Sequence, residues 1–202
     1  MAGWPELTGP VEEVATTLLG AVLHGDGVAL RVTEVEAYAG PGDPASHAHR
    51  GRTRRNDVMH GPAGRLYCYF TYGMHVCANV VTGTDGTASA VLLRGGEVVE
   101  GLGEARSRRP GVPDVALARG PANLCRALGV GLDHDGTILG RHGGPMSLAL
   151  PTTPVPVDRV SWGPRVGVRL GASTLWRCWL SGDPTVSAYR RHPRAEPGTT
   201  RS

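Results

Sequence analysis

From Val28 to Tyr38 the chain reads VALRVTEVEAY, an apolar–polar alternation that changes parity midway. Val28, Leu30 and Val32 carry the apolar signal first, and Val35 and Ala37 carry it afterwards on the opposite parity. Successive strand side chains point to opposite faces, so a strict register would turn the second half inside out. The pattern therefore predicts a strand with a bulge or change of face near Thr33 or Glu34. Glu34, Glu36 and Tyr38 share one face in any case. Strand rise puts the two glutamates about 6–7 Å apart.

Other segments read as a mixture. Val11, Val14, Ala15, Leu18 and Leu19 have helical spacing between Pro10 and Gly20. Leu66–Tyr72 and His75–Val81 flank Gly73-Met74 and predict a hairpin. A short strand is expected over Ser89–Arg94, a helix over Glu97–Arg108 and another over Pro121–Leu128. Gly131–Val155 reads as loop, and Arg165–Leu170 and Leu175–Leu180 as late strands. With no regular βαβ rhythm, one α+β domain is the expected class. It covers residues 1–190, and 191–202 form a loose, polar, basic tail.

Several function classes fall away on composition. The net charge is +3, mildly basic and compatible with a nucleic-acid partner. No apolar run approaches the ~20 residues of a membrane span, and no secretory signal is recognisable, so a cytosolic protein is expected. Cys68, Cys77, Cys125 and Cys178 form no C-x-x-C pair and are expected as buried, reduced thiols. His47 and His49 have no companion ligand pair, which argues against a metal. The chain has no lysine, so all 21 Lys+Arg residues are arginines.

Chemistry-bearing residues gather between Glu34 and Asn79. A carboxylate on a strand can hold and deprotonate a water, or stabilise a developing cation. Solvated glutamates or glutamate–arginine pairs fit the same spacing. Tyr38, Tyr67, Tyr69 and Tyr72 crowd one region of a chain with five tyrosines and one phenylalanine, Phe70. They suit a stacking pocket for a planar base, or an aromatic core patch. A hairpin tip reading TYGMH suits a wedge driven into a DNA stack, or burial against the body. Arg50, Arg52, Arg54 and Arg55 suit phosphate oxygens, or solvent.

These residues stand in blocks that resemble one family. EVEAYAGPGDPASH, GRLYCYFTYGMHVCANVV, SAVLLRGGE, RGPANLCRAL and PRVGV follow the order of the alkyladenine (3-methyladenine) DNA glycosylases, over Glu34 to Val168. The resemblance implies a single domain on a curved antiparallel sheet with a projecting hairpin. It implies an enzyme that flips a damaged purine from duplex DNA and hydrolyses its N-glycosidic bond. Glu36 matches the glutamate that activates the water, and Arg94 an arginine that helps hold it. Tyr38, His47 and Tyr69 match the residues sandwiching the flipped base, and Asn79 an asparagine at the pocket floor. Tyr72 matches the intercalating tyrosine, and Met74 a residue flanking that site. His75 stands where some members carry an aromatic residue, and the loop between His49 and Gly64 is unusually arginine-rich.

Bifunctional glycosylases usually attack the sugar with a lysine amine. A lysine-free chain points instead to water as nucleophile and an abasic product. No cofactor is implied. The expected partner is damaged double-stranded DNA, met by a monomer that associates with the nucleoid when it acts. A non-catalytic DNA binder on the same fold is the alternative, and it would need neither Glu36 nor Arg94.

Overall fold

β2 (Val28–Tyr38) organises the molecule. The computed structural model describes residues 4–71, 73–140 and 146–197. One edge of β2 pairs antiparallel with β5 (Ala90–Glu100). Its other edge pairs first with β1 (Val22–Gly25), then with β8 (Arg177–Leu180). Val32 pairs with Gly96 and Glu34 with Gly95, so Thr33 is an extra residue at the change of partner. This is the expected bulge. A second irregularity lies opposite: Glu34 pairs with Gly95 and Val35 with Leu93, leaving Arg94 as the extra residue on β5. Bulges bend a strand and re-aim the side chain they free.

The remaining strands extend the sheet to β3-β4-β5-β2-β1-β6, with β7 branching from β8. β3 (Leu66–Thr71) and β4 (His75–Val81) form the expected hairpin. β6 is Met146–Ala149 and β7 is Val160–Gly163. The result is one α+β domain on a strongly curled antiparallel sheet. α1 (Val11–Thr17), α2 (Leu102–Arg108) and α3 (Pro121–Leu128) pack against it. Leu66, Cys68, Ala78, Val80, Val91, Leu93, Val35 and Ala37 turn to the helices and join their apolar faces in the main core. At the chain's beginning, Trp4 donates to the Leu139 carbonyl and packs on Gly64 (φ 86°), where any Cβ would collide with the indole.

Three expectations are corrected. Glu97–Glu100 is strand, because β5 runs its full length beside β2, and the helix starts only at Leu102 after the left-handed Gly101. Gly131–Val155 contains β6, whose few residues give too little periodicity to stand out. Arg165–Leu170 is not a strand. β7 ends at Gly163, and residues 164–170 form turns and irregular backbone. The four cysteines are buried and free. Burial pushes Cys68 and Cys178 up to about 12, as it does Cys77, to about 11.

Among the described residues no helix is long and apolar enough to cross a membrane. Residues 191–197, expected to be loose, include Glu196, whose amide donates to the Arg169 carbonyl.

Candidate active site

The face of the sheet turned away from the helices carries a row of side chains running across the strands. Register pairs Tyr67 with Asn79, Asn79 with Leu92, Leu92 with Glu36, and Glu36 with Arg177. Five strands thus contribute one residue each. Two residues along, Tyr69 faces Cys77, while Arg94 and Tyr38 extend the same faces of β5 and β2. Above this row lies a cleft of about 810 Å³, closed by the loop around His47 and by Val166–Leu170.

Glu36 is fully buried from bulk solvent yet lines the cleft. Its Oε1 accepts the Val166 amide at 2.6 Å and lies 3.4 Å from the Arg94 guanidinium. Its Oε2 accepts the Tyr38 hydroxyl at 2.7 Å. Burial and the adjacent Glu36 carboxylate hold the Tyr38 phenol well above the usual tyrosine range, so Tyr38 remains a donor. The neighbouring carboxylate, Glu34, is consumed internally. It accepts from Arg94 Nε (3.0 Å), Arg177 Nε (2.7 Å), the Ser187 amide (2.7 Å) and the Ser187 hydroxyl (2.9 Å). Two buried carboxylates are thereby matched by two buried arginines, the condition under which such burial is tolerated.

A third buried arginine supports the site from behind. Arg165 forms a two-pronged ion pair with Asp43 (2.6 and 2.8 Å) and donates to the Ala37 carbonyl. Its guanidinium lies 4.7 Å from the centre of the Tyr38 ring and 5.2 Å from that of Trp176. One face of Tyr38 is therefore covered. The same clamp sets the chain direction that brings the Val166 amide onto Glu36.

His47 and Tyr69 also line the cleft, but they pack on each other edge to face, with centroids 4.5 Å apart and planes at 89°. No planar ligand fits between these two, and together they face the cleft. Tyr67 stacks behind Tyr69 and bonds His47 Nδ1 at 3.0 Å, and its phenol is pushed up to about 12, chiefly by burial. Close packing strips water from the inner side of His47, and with the Arg55 guanidinium nearby this lowers its pKa. Asn79 lies on the cleft floor and donates to the Tyr67 carbonyl at 3.0 Å.

Beyond the pocket, Met74 is 72% exposed at the hairpin tip and Phe70 48%. Tyr72 lies outside the described residues. The basic loop is shaped by buried Asn56, which bonds the His47 and Gly51 carbonyls and the Thr53 amide. Its arginines are unequal. Arg52 pairs with Asp57 and Arg55 reaches the Phe70 carbonyl. Arg50 and Arg54 are exposed and have no side-chain partner among the described residues. His49 bonds the Pro41 carbonyl, and no metal-holding group of His, Cys, Asp or Glu occurs among those residues.

Asp43, Arg165 and the Val166 amide lay inside recognisable blocks but carried no assigned chemistry. Arg177 and Ser187 gave no local signal, since their link to Glu34 spans more than 140 residues.

A family model described as methylpurine-DNA glycosylase matches residues 6–184. Relatives named "Putative 3-methyladenine DNA glycosylase" are similar to this chain over most of its length. One from Nocardia farcinica is 55% identical, covering 92% of this chain and 90% of its own. One from Streptomyces avermitilis is 56% identical, covering 91% and 89%. One from Mycobacterium tuberculosis is 52% identical, covering 90% of each.

Proposed function

The chain belongs to the methylpurine-DNA glycosylase family, and on that premise we propose a reaction path carried by Glu36 and Arg94. The protein is a 3-methyladenine DNA glycosylase, a DNA-repair hydrolase acting on N-glycosidic bonds.

A damaged purine leaves the duplex stack and enters the cleft, with Tyr38 on one side and the His47–Tyr69 pair on the other. Purines such as 3-methyladenine and 7-methylguanine are cationic, and a cation on an aromatic face gains ~0.5–2 kcal/mol per contact. Damaged bases are also cheaper to unstack. Asn79 at the floor disfavours the amino group of normal guanine. The hairpin tip, with exposed Met74 and the adjoining Tyr72, fills the gap left in the duplex.

At the sugar, a water held by Glu36 and Arg94 attacks C1′ as the C–N bond breaks and the purine departs with the bonding electrons. The water's proton passes to Glu36. The negative carboxylate stabilises the oxocarbenium-like charge on the sugar. The products are a free base and an abasic site. The protein works as a monomer on double-stranded DNA, in the cytosol where the nucleoid lies.

The observation carrying this reading is the contrast between the two glutamates. Glu34 takes four hydrogen bonds and lines no part of the cleft, whereas Glu36 takes one hydrogen bond on each oxygen and borders the cleft beside Arg94. The test uses duplex oligonucleotides, each with one lesion: 3-methyladenine, 7-methylguanine, hypoxanthine or ethenoadenine. They are incubated with excess protein without metal, and abasic sites are revealed by hot alkali. Wild type should give alkali-dependent cleavage at the lesion. Glu36→Gln should slow it by about 10²–10⁴-fold while DNA binding persists. Tight binding by wild type with no cleavage of any lesion would instead establish a non-catalytic DNA binder.

A further inference from the structure

The cleft has a second basic rim that no motif in the chain announces. Arg169 stands on the wall formed by Val166–Leu170, exposed and without a side-chain partner among the described residues. Residues 190–196 are laid along this wall. The Gly167 amide donates to the Arg190 carbonyl at 2.9 Å and the Glu196 amide to the Arg169 carbonyl at 3.0 Å. The Gly171 amide donates to Glu196 Oε2 at 3.3 Å, and Arg191 closes the turn on the Glu196 carbonyl. Arg190 and Arg194 are exposed and, like Arg169, have no side-chain partner among the described residues.

We propose that Arg169, Arg190 and Arg194 form a phosphate-binding rim that grips the backbone of the duplex flanking the lesion. The proposal rests on the glycosylase reading, since it assumes DNA in the cleft. Guanidinium forks match phosphate oxygens. A backbone already bonded to the cleft wall loses little freedom when DNA arrives. The three side chains of this rim have no side-chain partner among the described residues, whereas in the Arg50–Arg55 loop Arg52 is held by Asp57 and Arg55 by the Phe70 carbonyl. Glu196 is the single carboxylate of the arm, and one of its oxygens is already taken by the Gly171 amide.

The experiment is the salt dependence of binding to a labelled undamaged duplex, followed by fluorescence anisotropy between about 50 and 200 mM salt. Arg190→Gln/Arg194→Gln and Arg169→Gln are compared with wild type and with Arg159→Gln, which changes a residue in a separate hollow beside Arg31. Each phosphate contact contributes about 0.9 to the slope of log affinity against log salt. The double variant should lose about 1.8 from the slope, so its affinity falls roughly tenfold less than that of wild type across this range. Arg169→Gln should lose about 0.9. Slopes equal to that of wild type in both variants would overturn the proposal. Because the slope comes from binding to undamaged duplex, failure of lesion excision by wild type would sink the glycosylase reading separately.

Discussion

Glu34 and Glu36 differ by two positions and nothing in chemistry, yet their surroundings assign them opposite tasks. Donors from β5, β8 and Ser187 saturate Glu34, which makes it the anchor that aims Arg94. Glu36 keeps the cleft beside it. Parity along β2 showed that both shared a face. It could not show which would be enclosed, because that depends on Arg177 and Ser187, far away in the chain. His47 offers a residue-scale test. Water stripped from its inner side by the tyrosines, together with the Arg55 charge, lowers its folded pKa, so the fold favours the neutral ring. Unfolding frees it to its ordinary value near 6.5. The unfolded chain then binds more protons as pH falls from 6.5 through the lower folded pKa, and stability is lost in that window. Urea unfolding should show wild type losing more stability between pH 7.5 and 5.5 than His47→Gln. Equal losses would mean that His47 is not the responsible group.

At the scale of elements, the bulges in β2 and β5 and the loop–loop clamp decide the geometry. The sequence made the β2 bulge legible, because an apolar alternation cannot change parity without one. Its counterpart at Arg94 was hidden, since Leu92–Arg94 alone reads as ordinary strand. The Asp43–Arg165 clamp was equally silent: both residues are polar, stand in Gly- and Pro-rich stretches and look like surface. Only the fold shows them as fully enclosed, joining the turn after β2 to the segment after β7. Removing one partner of such a pair strands the other charge, which costs about 3–5 kcal/mol. Asp43→Asn should therefore lower unfolding free energy by about that amount, measured in denaturant, and should reduce excision through displacement of Tyr38 and the Val166 amide. A stability loss within the ordinary range of surface changes, about 0.5 kcal/mol, would show the clamp to be dispensable.

For the whole molecule, composition limits chemistry as firmly as geometry does. With no lysine anywhere in the chain, the side chain that usually forms a Schiff base with the opened sugar is missing. Incubation with abasic or lesion-containing duplex and borohydride should trap no covalent protein–DNA adduct. A trapped adduct would replace water with a protein amine as the nucleophile. The transverse row from Tyr67 to Arg177 has a different kind of consequence. Its members sit on five hydrogen-bonded strands, so their alignment depends on the pairing of the sheet. On heating, loss of excision should track loss of the sheet itself, leaving no temperature interval in which a folded but inactive protein accumulates. The basic rims, borne on loops, lie outside that row, and substitutions there should leave that melting behaviour unchanged.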